Sequence, residues 1–151
     1  MCIRDSNSSV DNTVSILQKE NDKRLFLIEN KENYGVAKAN NQAISNAIAD
    51  GCDQILIINI DVTFEPALLE KMLEFQSKNN CSLVVPKIMY YDNPNKIWYA
   101  GSWFLSYNGY LPIHRGMSEI DIGQYDKISE VEYAPTCCLL VRKEVLSLIH
   151  I

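Results

Sequence analysis

The stretch Gln54-Ile55-Leu56-Ile57-Ile58-Asn59-Ile60-Asp61-Val62 decides the fold that the sequence predicts. It begins with a run of aliphatic residues that is typical of a strand buried on both faces. Such strands occur in parallel sheets that carry helices on both sides. We therefore expect a central strand over residues 54–60 and an α/β fold, with Asp61 directly behind the strand.

The segments around this strand alternate between helix and strand patterns. Small and apolar residues recur at steps of three and four over Val36–Ala49, which predicts a helix, and Gly51 is placed to end it. Another helix is predicted after Pro66, and short apolar runs predict strands at Leu25–Ile28 and Ser82–Val85. This alternation is typical of a parallel α/β sheet.

The character of the chain changes after Pro86, where aromatic residues become frequent and are interleaved with glycines. This pattern predicts short strands and long loops that extend the sheet and line a cleft. A further strand is predicted over Ala134–Val141, and a last helix is expected to begin at Arg142–Glu144.

Length and composition narrow the possible classes of protein. The 151 residues allow about one domain, and 47% hydrophobic and 22% charged residues are typical of a globular protein. The formal charge is -5 and the basic residues are scattered, so no basic stripe is available for nucleic acid. No apolar run approaches the ~20 residues of a membrane-spanning helix. No Walker loop, GxGxxG or GxSxG pattern is present, which excludes the usual ATPases, dehydrogenases and hydrolases.

The cysteines and histidines do not indicate a metal or disulfide framework. There are five cysteines, none in CxxC spacing, and two histidines, so a reducing compartment is expected. A nucleophilic pair of His114 and Cys137 is conceivable, but no motif supports it.

Asp61 is the first candidate functional residue. In open parallel sheets ligands bind beyond the carboxyl ends of the strands, so a carboxylate placed there faces a cleft. A hard cation such as Mg²⁺ is commonly held by one or two carboxylates and by phosphate oxygens of the substrate. The alternative is that Asp61 caps the helix that starts near Pro66. The spacing alone does not decide between the two.

The second candidate segment, Glu29–Asn41, also lies between a strand and a helix. Free backbone N–H groups and the helix dipole favour anionic groups at such a position. Gly35 permits a close approach of the backbone, and the amides of Asn33, Asn40 and Asn41 can both donate and accept hydrogen bonds. Taken alone, the segment is explained better as a turn that caps the helix.

Together the two segments resemble the inverting glycosyltransferases of family 2, whose nucleotide-sugar-binding domain has the GT-A fold. Five segments in family order carry the resemblance. The family pattern N-x-G-F-(small)-x-A-N-N-x-G is matched by Asn33, Gly35, Ala37, Ala39, Asn40 and Asn41, and the llNPDv form of the DxD motif by Ile57–Val62. Ile97–Gly101 resembles iwyaGg, Tyr133–Val145 resembles cmlvrrev, and Asn7–Thr13 resembles the end of DNgStDgT.

The resemblance implies a partial GT-A domain over residues 7–145, with a Rossmann-like, mostly parallel sheet, flanking helices and both ends incomplete. Asp61 would coordinate a divalent cation, Mg²⁺ or Mn²⁺, that bridges the diphosphate of the donor. Asn59 stands where many relatives carry a first carboxylate near the ribose. Ile60 replaces the Pro or Asn that is commoner there. The implied donor-binding residues are Asn33, Gly35, Lys38, Asn40, Asn41, Asn59 and Asp61.

The resemblance further implies a rhamnose or hexose nucleotide as donor, a glycan or lipid-linked acceptor, and a role in polysaccharide biosynthesis. The location would be cytoplasmic, at or near the inner face of the membrane. The general base of relatives lies in an acidic segment beyond Val145, so no catalytic residue is assigned here, and the isolated segment is expected to be inactive. The alternative is a nucleotide-binding α/β module without catalysis, or a degenerate transferase that serves as a scaffold.

Both ends of the chain carry an unusual pattern. Residues 1–6 and 146–151 resemble translated sequencing-adapter ends, so we expect neither to belong to the natural protein.

Overall fold

Helices and strands alternate along the first half of the chain in the computed structural model, which describes residues 1–148. The predicted α/β class is therefore confirmed. In chain order the elements are β1 (Cys2–Asn7), α1 (Thr13–Leu17), β2 (Leu25–Asn30), α2 (Gly35–Ala49), β3 (Gln54–Ile58), α3 (Leu68–Asn79), β4 (Leu83–Val84), β5 (Ile88–Tyr90), β6 (Asn93–Tyr99), β7 (Ser102–Leu105), a 3-10 helix (Ser106–Asn108), β8 (Leu111–His114), β9 (Cys138–Arg142) and α4 (Lys143–Leu148).

The chain divides into two units. Unit 1 consists of Met1–Ile55 and of the segment that begins at Arg142. Unit 2 is the continuous segment Leu56–Val141.

Unit 1 is built on a parallel pair of strands, β1 and β2, in register from Cys2 opposite Leu25 to Asn7 opposite Asn30. Helix α2 contacts β1. Three of the residues predicted to form the apolar face of α2 are buried: Ala39, Ile44 and Ala47. Val36, at the start of that face, is instead 74% exposed. The first turn of α2 therefore leaves its apolar side chain open to solvent.

Gly51 ends α2 as the sequence predicts. Its φ of +87° lies in the left-handed region, which an L side chain rarely adopts. The backbone N–H of Cys52 donates to the carbonyl of Ala47 at 2.9 Å, and the N–H of Gly51 donates to the carbonyl of Ile48 at 3.0 Å. These bonds satisfy carbonyls that the helix end would otherwise leave without partners.

The core of unit 2 forms around the sheet with strand order β3-β9-β4, in which β4 and β9 are antiparallel. Met72 of α3 is buried together with Cys138 and Leu140 of β9. Partly buried apolar residues of β3, α3 and β4 pack against these three: Leu56, Ile58, Leu68, Leu73 and Val84. The aliphatic run of β3 contributes to this packing, but the prediction of a central strand buried on both faces is wrong. In the described part of the chain β3 lies at the edge of its sheet with β9 in the middle, and of the β3 residues only Ile55 is buried.

The expected mostly parallel sheet is not what residues 1–148 form. Their strands lie in four small sheets, and β4–β9, β5–β6 and β7–β8 pair antiparallel whereas β1–β2 pairs parallel. The part of the chain after Pro86, where aromatic residues are frequent, accounts for most of the difference. Its strands are joined by turns of a few residues, and short connections produce antiparallel hairpins because a parallel pair needs a long crossover.

The predicted strand over Ala134–Val141 begins four residues late, at Cys138. Pro135 has no backbone N–H to donate to a sheet, which explains why pairing does not extend to the start of the predicted segment.

The expectation about the chain ends stays a prediction. Residues 2–6 take part in β1, but pairing of a strand does not reveal the origin of its sequence. At the other end, residues 149–151 of the predicted non-natural segment lie outside the described residues.

Candidate functional site

Asp61 lies in unit 2, in a turn that follows β3 directly. The strand ends at Ile58, and Ile60 and Asp61 form the turn. The backbone N–H of Asn59 donates to the carbonyl of Cys137 at 3.0 Å. The turn is therefore held at its start by the segment that leads into β9, while the side chains of Asn59 and Asp61 are exposed.

The carboxylate of Asp61 has no hydrogen-bond or ion-pair partner among residues 1–148. The alternative role as a helix cap is not seen, because α3 begins at Leu68 and is preceded by Ala67, with no side-chain capping bond. Cys137 is its electrostatic neighbour. Burial raises the pKa of the Cys137 thiol above its ordinary value, and the negative charge of Asp61 adds to the increase.

The second candidate segment lies in unit 1 and is held by hydrogen bonds among asparagines. The Oδ1 atom of Asn33 accepts hydrogen bonds from the Nδ2 atom of Asn7 at 2.7 Å and from the backbone N–H of Gly35 at 3.0 Å. The Oδ1 atom of Asn7 in turn accepts from the backbone N–H of Tyr34 at 3.0 Å and from Nδ2 of Asn30 at 3.4 Å. Asn33 thus stabilises the turn that leads into α2. It does not cap the helix, because the residue before α2 is Tyr34 and no side chain makes a capping bond there.

Asn30 and Gln42 join the end of β2 to α2. The Nδ2 atom of Asn30 donates to Oε1 of Gln42 at 2.9 Å, and Nε2 of Gln42 donates back to Oδ1 of Asn30 at 3.2 Å. The sequence prediction missed this pair and also missed the role of Asn7. One indication was present in the sequence, since Asn7 and Asn30 each end a strand. The sequence does not identify the residues to which they are hydrogen-bonded.

The remaining candidates of unit 1 lie on α2. Gly35 has a φ of +78°, and no atom lies within 4 Å of where a Cβ would be. The ammonium group of Lys38 lies 3.8 Å from the centroid of the Tyr34 ring. Asn40 is half-buried. Lys38 and Asn41 line an open depression of about 400 Å³ on α2, together with Ile28, Gln42, Ser45 and Asn46.

Comparison with known proteins assigns the chain to a family. Residues 1–148 match the family model of glycosyl transferase family 2, which covers nearly the whole chain. The chain belongs to glycosyl transferase family 2. No curated protein and no solved structure matches it.

Family 2 consists of glycosyltransferases, which transfer a sugar from a nucleotide-sugar donor to an acceptor, and membership in it implies the GT-A fold. Within residues 1–148 no helix is long and apolar enough to cross a membrane.

The described residues fit a divalent cation that is bound by few protein groups. In the described part of the chain no three His, Cys, Asp or Glu residues cluster in a way that could hold a metal ion by themselves. An exposed carboxylate without a protein partner is the kind of group that binds Mg²⁺ jointly with phosphate oxygens. Asp61 is such a group in this family 2 chain.

His114 does not pair with Cys137 as a nucleophilic dyad would require. Its Nε2 atom is hydrogen-bonded to the hydroxyl of Tyr133, and its Nδ1 atom lies 3.3 Å from the carbonyl oxygen of Trp98. The carbonyl of Tyr133 accepts from the hydroxyl of Tyr99 at 2.7 Å and from that of Ser102.

These hydrogen bonds form a partly buried network in unit 2. Burial raises the pKa of Tyr99 and of Tyr133 above the ordinary value for tyrosine, which keeps both phenols neutral. Nineteen residues separate His114 from Tyr133, and no sequence motif joins them, so this pair was not predictable.

Proposed function

We propose that this chain is part of an inverting, metal-dependent glycosyltransferase in which Asp61 binds a divalent cation, Mg²⁺ or Mn²⁺, under the diphosphate of a nucleotide-sugar donor. One observation carries the proposal. In a chain that belongs to family 2, an exposed carboxylate without a protein partner lies in the turn directly after β3. The resemblance of Ile57–Val62 to the DxD motif, which predicts a metal ligand at this position, supports the proposal.

The other donor-binding residues that we propose are Asn33, Gly35, Lys38, Asn40, Asn41 and Asn59. The open space in front of Gly35 supports its role, because a ligand can approach the backbone there without meeting a side chain. Lys38 and Asn41 line a depression and offer a cation and an amide to phosphate, ribose or base. Asn33 uses Oδ1 within the protein, so its free contribution to a ligand is a donor, Nδ2.

The reaction that we propose is transfer of a hexose to a glycan or a lipid-linked acceptor, as in polysaccharide biosynthesis, at the cytoplasmic face of the membrane. The acceptor hydroxyl attacks the anomeric carbon, the bond to the diphosphate breaks, and the configuration inverts. When bound, the cation offsets the negative charge that develops on the leaving diphosphate. We assign the general base to no residue among those described.

The role of Asp61 is tested by nucleotide binding to the chain itself. UDP, GDP and dTDP are titrated in turn with Mn²⁺ present, and binding is followed by calorimetry. We expect D61N to weaken Mn²⁺-dependent binding by at least about tenfold, since even residues that only support a metal ligand change metal affinity by that much.

Asp92 provides a matched control. It lies in the turn between β5 and β6 of the same unit and is also exposed, so D92N removes the same charge from a comparable place. If D61N and D92N bind the nucleotide equally well, Asp61 is not the metal ligand. If the unchanged chain binds none of the three nucleotides, the proposed donor site is wrong. Transfer is then measured in the full-length parent with the same two variants, and binding without turnover there would favour the scaffold alternative.

A further inference from the structure

The hairpin formed by β7, the 3-10 helix and β8 contains no formally charged residue. Ser102–His114 includes three aromatic residues besides Trp103, but no Asp, Glu, Lys or Arg, and the uncharged stretch extends from Ile97. Charged residues make up 22% of the chain as a whole. This hairpin therefore differs in chemistry from the rest of the protein.

The two faces of the hairpin are distinguished by Tyr133. This residue packs against Phe104, with ring centroids 5.9 Å apart, and against His114 at 5.6 Å, and its carbonyl accepts a hydrogen bond from Ser102. Side chains alternate between the faces of a strand, so Ser102, Phe104 and His114 mark the inner face, on which Phe104 remains 38% exposed.

The outer face is formed by the cross-strand pairs Trp103–Ile113 and Leu105–Leu111. All four side chains are apolar. Trp103 and Leu111 are 39% and 48% exposed, whereas Leu105 and Ile113 are half-buried. An antiparallel hairpin that packs one face on the protein normally carries polar side chains on the other. The outer face of this hairpin does not.

The tip of the hairpin presents two phenol groups to solvent. Tyr107 is 85% exposed and Tyr110 is 68% exposed. Gly109 and Tyr110 have φ values of +65° and +58°, and the backbone N–H of Tyr110 donates to the carbonyl of Leu105 at 3.0 Å. A bulky residue is rare in the left-handed region, so the turn holds Tyr110 outward at a conformational cost.

We propose that the outer face and tip of this hairpin dock into the interface of a lipid bilayer. Tyr and Trp favour the level of the lipid headgroups, where an apolar ring and a polar group are both accommodated. The absence of charge removes the cost of bringing ions to that depth. Because the hairpin carries no Lys or Arg, it has no attraction to anionic lipids, so the surface that we propose for it is a zwitterionic bilayer.

Two neighbouring features indicate where the proposed docking surface ends. The exposed apolar residues of the following segment, such as Ile120 and Ile122, are interspersed with the acidic residues Glu119 and Asp121, which disfavour contact with a membrane. One carboxylate is hydrogen-bonded to the hairpin, that of Glu132. It accepts from the backbone N–H of Phe104 at 2.6 Å, at a position within β7 and away from the tip. The inference rests on the hairpin alone and does not depend on the role of Asp61.

The test is co-sedimentation of the chain with vesicles of palmitoyl-oleoyl phosphatidylcholine. We expect the unchanged chain to bind, and the double variant Y107S/Y110N to lose binding by about fivefold or more, because interfacial binding scales with the apolar area inserted. Asn is tolerated in the left-handed region, so Y110N does not strain the turn. The control is Y91S, which removes a tyrosine that is 80% exposed in the turn between β5 and β6.

The possible results are each decisive. Binding that is lost in Y107S/Y110N and kept in Y91S supports the proposal. It is overturned if the unchanged chain does not bind, if Y91S loses as much binding, or if binding needs added anionic lipid. It is also overturned if light scattering without vesicles shows a dimer that Y107S/Y110N dissociates, because the hairpin would then bind a second copy of the chain. Circular dichroism shows whether both variants are folded.

Discussion

Two polar segments follow strands of this protein, and they use their side chains in opposite ways. After β2, asparagines and Gln42 bond one another: Asn33 accepts from Asn7, and Asn30 exchanges two hydrogen bonds with Gln42. After β3, Asn59 and Asp61 are exposed, and Asp61 has no such partner among the described residues. Polar groups that are satisfied within the protein stabilise a conformation, whereas an unpartnered carboxylate is available to a ligand.

The largest effect is expected at Asn7, whose side chain joins three groups of unit 1. N7A removes the bond to Asn33 and leaves the backbone N–H of Tyr34 without its acceptor. We expect the free energy of unfolding to fall by about 1.5 kcal/mol, the upper end for a hydrogen bond in a protein, because three bonds are lost together. Urea unfolding measures the change.

Asn59 is the counterpart of Asn7 in the other segment. N59A should change the free energy of unfolding by less than about 0.5 kcal/mol, as is usual for exposed positions away from structural features. Equal losses in N7A and N59A would contradict the distinction between the two segments.

A smaller effect is expected at Gly35, where the cost lies in the backbone alone. G35A places a Cβ where no other atom lies within 4 Å, but at a φ of +78°. We expect a loss of about 1 kcal/mol in the free energy of unfolding from the left-handed conformation. G35N should lose less, since Asn is better tolerated there. If the two variants are equally stable, the conformation of residue 35 is not the cause.

Among the residues that are partnered or strained in the structure, the smallest loss of stability is expected at Asp121, whose carboxylate is ion-paired whereas that of Asp61 is not. Its carboxylate lies 2.5 Å from Nζ of Lys87, and that of Asp126 lies 2.6 Å from the same atom. Hydrogen bonding to Lys87 and to the backbone of Gly123 lowers the pKa of Asp121 below its ordinary value. Burial alone would lower the pKa of Lys87, but the two carboxylates raise it above its ordinary value.

The sign of the pH dependence follows from the lowered pKa of Asp121. The carboxylate of Asp121 contributes to the free energy of unfolding above its pKa in the unfolded chain, about 3.9. This contribution is lost as pH falls through the lower pKa of the folded state. We expect D121N to lower the urea midpoint at neutral pH, with a gap from the unchanged chain that closes as pH falls from about 5 to about 2. A gap for D121N that does not vary with pH would rule out the ion pair as its source.

Local features of the fold were predictable from the sequence. Helix α2 was expected over Val36–Ala49 and is found over Gly35–Ala49, ended by Gly51. Strand β3 begins at Gln54 as predicted and ends at Ile58, because the chain then enters the turn of Ile60 and Asp61. Periodicity and the conformational freedom of glycine act over a few residues, so they can be recognised in a single sequence.

Pairings over long distances were not predictable. The apolar run of β3 indicated a buried strand, but not that β9 would lie between β3 and β4 or that β4 would be antiparallel to β9. The same holds for the site. The position of Asp61 after a strand was correct, whereas the bonds of Asn7 to Asn33 and of His114 to Tyr133 depend on partners that the sequence does not identify.

Unit 1 is completed by a contact between residues that are far apart in the chain. The backbone N–H of Lys143 donates to the carbonyl of Asp53 at 3.0 Å, and the two side chains form an ion pair across 90 residues of sequence. On a ribosome, the first 55 residues emerge long before Lys143 is made. The contact between Asp53 and Lys143 can therefore form only after the whole of unit 2 has been synthesised, so the closure of unit 1 is a late event in the synthesis of the chain.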